Sequence, residues 1–85
     1  MEKRLGIIAV VITEKVSIPT VNDLISTFSD IIIARQGIPM PQKNISFISL
    51  IVEAPMDRIN VLTGKLGRLS GVEVKNIVRK ETSTS

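Results

Sequence analysis

The 85 residues include no histidine, cysteine, tryptophan or tyrosine. The commonest general base, the most nucleophilic side chain and the usual transition-metal ligands are therefore missing. The carboxylates Glu14, Asp23, Asp30, Glu53, Asp57 and Glu73 fall singly near the ends of expected elements, where capping and solubility account for them. No catalytic residue, metal site or cofactor is expected, and the chain does not read as an enzyme. Thr63-Gly64-Lys65-Leu66-Gly67 invites comparison with a phosphate-binding loop. Such a loop needs a strand leading in, a further glycine upstream and a Ser or Thr after the lysine. Leu66 follows the lysine, and the segment has helical periodicity, so phosphate-loop chemistry is rejected. Gly64-Lys65-Leu66-Gly67 also fits the GxxG clamp of KH domains, but only Arg68-Leu69-Ser70 separates it from a turn and a strand, where that clamp joins two helices. Base stacking would need aromatic residues on central strands, and Phe47 alone is available.

The remaining chemistry is cationic. Lys3 and Arg4 open the first strand while Arg79 and Lys80 close its expected neighbour, which brings four cations to one corner. Lys65, Arg68 and Lys75 suggest a second patch. Solvated charge is the plainer reading of both; an anionic ligand or a nucleic-acid backbone is the other.

These residues must be positioned by a short list of elements. Leu5–Thr13 is rich in Ile and Val, whose β-branching suits a pleated surface. Val21, Leu24, Ile25 and Phe28 recur at helical spacing, predicting a helix that starts at Ser17 or Thr20 and ends at Ser29. Thr20-Val21-Asn22-Asp23 has the spacing of a capping box, with Asp in place of Glu. A second strand is expected over Ile31–Gln36, ended by Gly37-Ile38-Pro39-Met40-Pro41, whose prolines should block ladder pairing and stiffen a loop to Asn44. A third strand follows at Ile45–Glu53. Pro55 then fits the first turn of a second helix, with Met56, Ile59, Leu62, Leu66 and Leu69 on its buried stripe and Gly71 at its end. Val72–Arg79 makes the fourth strand, and residues 81–85 read as a disordered tail.

Strand-helix-strand is thus written twice. Right-handed crossovers place both helices on one face of a four-stranded antiparallel sheet. The result is an α+β, ferredoxin-like βαββαβ domain over residues 1–80, with strand order 4-1-3-2. A sheet covered on one face should alternate apolar and polar. Here Ile7, Ala9 and Val11 share a strand with Ile8, Val10 and Ile12, and Phe47 and Ile51 share one with Ile48, Leu50 and Val52. Helices can cover only one of these faces, so a second copy is expected on the other, in a homodimer or tetramer. A polar substitution on the uncovered face, such as Val10→Glu or Ile8→Glu, is expected to split the assembly or abolish solubility; which alternating set lies outward does not follow from this pattern. The fourth strand carries Glu73, Lys75 and Arg79, charges that discourage edge pairing, whereas Ile31-Ile32-Ile33-Ala34 carries none. That second-strand edge is the other expected contact between copies.

Composition agrees. Apolar residues make up 44% of the chain, more than one small core absorbs. A net charge of +3 is compatible with nucleic acid without requiring it. No apolar run approaches the ~18 residues of a membrane span. Met1–Ile12 resembles a signal peptide, yet Thr13-Glu14-Lys15 offers no small-residue cleavage site, and cleavage would remove the best strand. The protein is expected to be soluble and cytoplasmic.

Arg35-Gln36-Gly37-Ile38-Pro39, the strand ending in Glu53-Ala54-Pro55, and the run from Thr63 to Val72 with Lys75 together resemble a family of short ACT-like proteins. These are catalogued as regulators of the iron-only hydrogenase system, and the likeness extends from about Lys3 to Arg79. It implies a fold akin to ACT domains and to the C-terminal domain of the nickel-responsive regulator NikR, and it implies oligomers. The nickel ligands of NikR, His and Cys, are absent, and so is its ribbon-helix-helix segment. Any transcriptional role would therefore run through a partner. ACT domains often bind amino acids near the turn after the first strand. Here that turn is Thr13-Glu14-Lys15-Val16-Ser17 and lacks the frequent glycine. The leading expectation is a self-associating regulatory module with a small effector. A nucleic-acid-binding protein using its basic corner and a purely structural oligomerisation module are the alternatives. The effector residues expected are Arg35, Gly37, Thr63, Gly64, Lys65 and Gly67, which bring charge and accessible backbone where core packing does not need them.

Overall fold

Residues 2–80 are described by the computed structural model. The strands are β1 (Arg4–Ile12), β2 (Ile32–Met40), β3 (Ile45–Ala54) and β4 (Val72–Val78), and the helices are α1 (Ile18–Thr27) and α2 (Met56–Gly67). All three neighbouring pairs are antiparallel, in the order β2-β3-β1-β4, the expected 4-1-3-2 read from the other end. The expected tail at 81–85 lies outside the described residues. No described helix is long and apolar enough to cross a membrane.

The parity of each strand decides where the core sits. Ile8, Val10 and Ile12 of β1 and Ile48, Leu50 and Val52 of β3 face the helices and are buried. They meet Val21 and Ile25 of α1 and Ile59, Leu62 and Leu66 of α2. Side chains as fully buried as Ile59, Leu62 and Leu66 each contribute about 1.5–3 kcal/mol. Leu24, Met56 and Leu69 pack against this core from its rim. The even-numbered set therefore faces inward, and Ile8 and Val10, offered above as outward examples, are core residues.

The elements differ from expectation at several boundaries. Helix α1 begins at Ile18, with Ser17 at its N-cap and Pro19 in its first turn. Thr20 thus lies inside the helix, and the capping box does not form. The Ser17 hydroxyl does not cap either; it donates to the Ser70 carbonyl at 2.6 Å. Pro55 stands at the N-cap of α2, one position before the first turn, and Asp57 holds the first turn as expected. Helix α2 ends at Gly67, short of Gly71.

The largest difference is β2, which continues through Gly37, Ile38 and Pro39 to Met40, with Pro39 opposite Ser46. Proline is tolerated because β2 is an edge, laddered on one side only. The turn to β3 is then short: a 3-10 turn at Pro41–Lys43 and Asn44 in the left-handed region at φ 54°. Asn adopts that region more readily than most residues.

Candidate functional site

Three surfaces could carry function. The first is the sheet face away from the helices. Register places Ile38, Phe47, Val11 and Glu73 in one row across it, Gln36, Ser49, Ala9 and Lys75 in the next, and Ala34, Ile51, Ile7 and Ile77 in the third. Phe47 is 42% exposed, Ile7 47% and Ile77 75%. The apolar residues fall in the two outer rows, joined across a polar middle row only through Ala9, and the β4 margin carries Glu73 and Lys75 beside Ile77. Lys75 therefore lies on the opposite side of the sheet from the helices, and it cannot share a patch with Lys65 of α2 and Arg68 at its C-cap. The β2 edge is less open than its sequence suggests: a register shift between Ile32 and Ala34 bulges the strand, and Pro39 removes one donor. Both features discourage strand addition.

The second surface is the groove between α1 and β2. Arg35 and Gly37 pair with Leu50 and Ile48, whose side chains are buried beneath the helices, so both face the α1 side. Arg35 Nη2 donates to Asn22 Oδ1 at 3.3 Å. A depression of about 270 Å³ beside it is lined by Ile12, Ile18, Asn22, Gly37 and Ser46, among others. A second depression, toward the start of β2, is lined by Ile25, Ser26, Ser29 and Ile32–Arg35. Arg35 stands between the two.

The third surface is the exposed side of α2, where Asn60, Val61, Gly64, Lys65 and Arg68 border a shallow depression. The Thr63 hydroxyl donates to the Asn60 carbonyl at 3.2 Å, so it is engaged within its own helix. Gly67 is the last residue of α2. Arg35 and Gly37 thus line one hollow and Gly64 and Lys65 another. The six expected effector residues are placed in two groups, not in one site. Sequence reading missed Asn22 and Ser46, which have no motif; only the β2–β3 register and the position of α1 bring them to Arg35.

Gly64 is exposed, and a Cβ there would meet nothing within 4 Å, so helix packing does not require the glycine. Gly64→Ala is expected to stabilise the fold by about 1 kcal/mol through helix propensity. A urea melt checks this: a midpoint that rises with an unchanged slope is the expected result. If a ligand's approach to this backbone is the reason for the glycine, the same variant loses that ligand's response.

Elsewhere the polar contacts are structural. Arg58 holds Asp30 through two bonds, at 2.5 and 3.2 Å, and its guanidinium lies 5.4 Å from the centre of the Phe28 ring. The hydrogen bond from Arg58 keeps the Asp30 carboxyl below its ordinary value. The turn after β1 is tied to the turn after α2. The Thr13 amide donates to the Gly71 carbonyl at 2.8 Å, and the Ser70 hydroxyl donates to Glu14 Oε1 at 2.8 Å. Among the described residues no group of three or more His, Cys, Asp or Glu could hold a metal.

Comparison with known proteins places this geometry. The family model described as "TM1266-like: Iron-only hydrogenase system regulator, putative" matches residues 4–76. The structure of the uncharacterized protein TM1266 from Thermotoga maritima is similar at 38% identity and a TM-score of 0.88, covering 93% of this chain and 100% of that one. CPII, a nitrogen regulatory PII-like protein from Thiomonas intermedia K12, matches at 14% identity and a TM-score of 0.50, over 94% of this chain and 100% of its own. At that identity the likeness shows the fold alone. No curated protein matches the chain.

Proposed function

Since the chain belongs to the TM1266-like family of iron-only hydrogenase system regulators, we propose that it is a small cytoplasmic regulatory module that self-associates and answers a small effector. The open sheet face carries this reading. Soluble monomers rarely expose contiguous apolar patches beyond a few hundred Å². Here Ile38 and Phe47 with half-buried Val11, and Ile7 and Ile77 with half-buried Ile51, are two exposed apolar clusters on one face, linked through Ala9. A second copy laid on this face covers them, and the charged margin at Glu73 and Lys75 restricts how the two sheets can meet.

Sedimentation velocity tests the association. A dimer or larger species is expected at micromolar concentration, and Phe47→Glu is expected to yield a folded monomer. A wild-type chain that sediments as a well-folded monomer overturns the reading.

One observation favours the nucleic-acid alternative as a second reading. The Arg79 amide donates to the Leu5 carbonyl at 2.8 Å, which extends the β1–β4 ladder and brings Lys3, Arg4, Arg79 and Lys80 to one corner. Retention on nucleic acid that collapses as salt rises would support it.

A further inference from the structure

The α1–β2 groove has an apolar floor and an unusual balance of charge. Gly37 faces the helices, and a Cβ there would meet nothing within 4 Å, so the hollow beside it is open. Ile12, Ile18 and Ile48 supply its apolar walls, and Asn22 and Ser46 supply polar atoms. Arg35 stands at one end and spends one bond, 3.3 Å long, on a neutral amide. A guanidinium has five donors in a fixed fork, matched to a carboxylate. Among the described residues the only ion pair is Arg58 with Asp30, so no carboxylate neutralises Arg35. The adjoining hollow shares Ile12, Ile18, Pro39 and Ser46 with this one and adds a second cation, Lys15. Neither hollow is lined by an Asp or a Glu.

We propose that this groove binds a small organic acid with a branched aliphatic body and no ammonium group. Its carboxylate pairs with the Arg35 fork, which releases only the long bond to Asn22. Its aliphatic body covers half-buried Ile18 and the small exposed edges of Ile12 and Ile48, and it fits beside Gly37 because no side chain is there. An α-amino acid of the same body is disfavoured, since its ammonium would find no carboxylate partner and would lie near Arg35. Inorganic phosphate satisfies the cation but leaves the apolar floor wet. This inference rests on the effector half of the proposed function and not on the association, although Ile38 and Phe47 line the groove and also belong to the open face.

The test is thermal unfolding of the full chain with 4-methyl-2-oxopentanoate, with leucine and with inorganic phosphate, each at the same concentration. The oxo acid at tenfold its Kd is expected to raise Tm by about 5–10 °C, with leucine and phosphate leaving it unmoved. Arg35→Ala is expected to weaken the oxo acid at least about tenfold, the loss of a charge-assisted pair, while its own unliganded Tm stays near wild type. Gly37→Val, which fills the hollow from an exposed edge strand, is expected to abolish the response. No shift with the oxo acid, an equal shift with leucine or phosphate, or unchanged affinity in both variants overturns the site. Sedimentation of the same samples separates the two readings. A monomer that responds to the acid defeats the association alone, and an oligomer that does not respond defeats this site alone.

Discussion

Val10→Glu is expected to abolish folding, whereas Ile7→Glu is expected to leave a folded chain that no longer associates. The two positions lie on one strand, three residues apart, and the chemistry of the change is the same. Val10 is 0% exposed and sits between Ile48 and Val74 beneath the helices. A carboxylate there is desolvated, and the surrounding core of Ile8, Ile12, Leu50 and Ile59 offers it no cation. Burying an unpaired charge costs about as much as the whole ~5–15 kcal/mol stability of a small domain. Ile7 lies between Ile51 and Ile77 on the open face and is 47% exposed. In a monomer its glutamate keeps its water, so the fold loses about 1 kcal/mol or less. In an association across that face the same charge is buried, and the contact is lost. Circular dichroism and sedimentation of the two variants read these outcomes. A folded Val10→Glu chain contradicts the inward assignment of the even-numbered residues. A folded, still associated Ile7→Glu chain removes the open face from the interface.

That pair of positions also marks what was legible in the sequence. The order of elements and the apolar parity on both sides of β1 follow from run length and period, and the handedness of the crossovers turns that order into the ferredoxin-like topology. The side that lies outward does not follow from β1, where both parities are apolar. The information lies in β4 and β3. Glu73 and Lys75 share a parity, and register carries that parity to Val11 and Ala9 on β1. Ser49 and Glu53 carry it from β3 to Ala9 and Leu5. Reading Glu73 and Lys75 only as edge protection hides the fact that they also mark the solvent side. The end of β2 was missed for a related reason. Proline excludes a central strand, but the topology already put this strand at an edge, where Pro39 is admissible. The groove was half legible: Arg35 and Gly37 stand out as a charge and a gap, while Asn22 and Ser46 acquire meaning only when α1 and β3 are placed beside them.

Gly71→Ala is expected to destabilise the fold by about 3 kcal/mol, the next largest effect of a single substitution, by two separable routes. Gly71 has φ +69°, a region that costs an alanine about 1–2 kcal/mol. A Cβ at this position would also lie 2.5 Å from Glu14 Cγ, 2.7 Å from Glu14 Cβ and 2.9 Å from the Glu14 backbone nitrogen. The flexible end of Glu14 can swing away, but its Cβ and nitrogen cannot. They belong to the turn fixed by the Thr13 amide on the Gly71 carbonyl and the Ser17 hydroxyl on the Ser70 carbonyl. Gly71→Asn separates the routes, because Asn accepts the left-handed region while keeping the Cβ. It is expected to remain clearly destabilised, by about 1 kcal/mol or more. The double variant Glu14→Gly with Gly71→Ala removes the Glu14 Cβ and Cγ and is expected to recover part of the loss. A non-additive double-mutant cycle in chemical denaturation is the signature of that contact. Near-wild-type stability for Gly71→Asn would mean that backbone conformation alone demands the glycine. The packing of the β1–α1 turn against the α2–β4 turn would then be looser than these distances require.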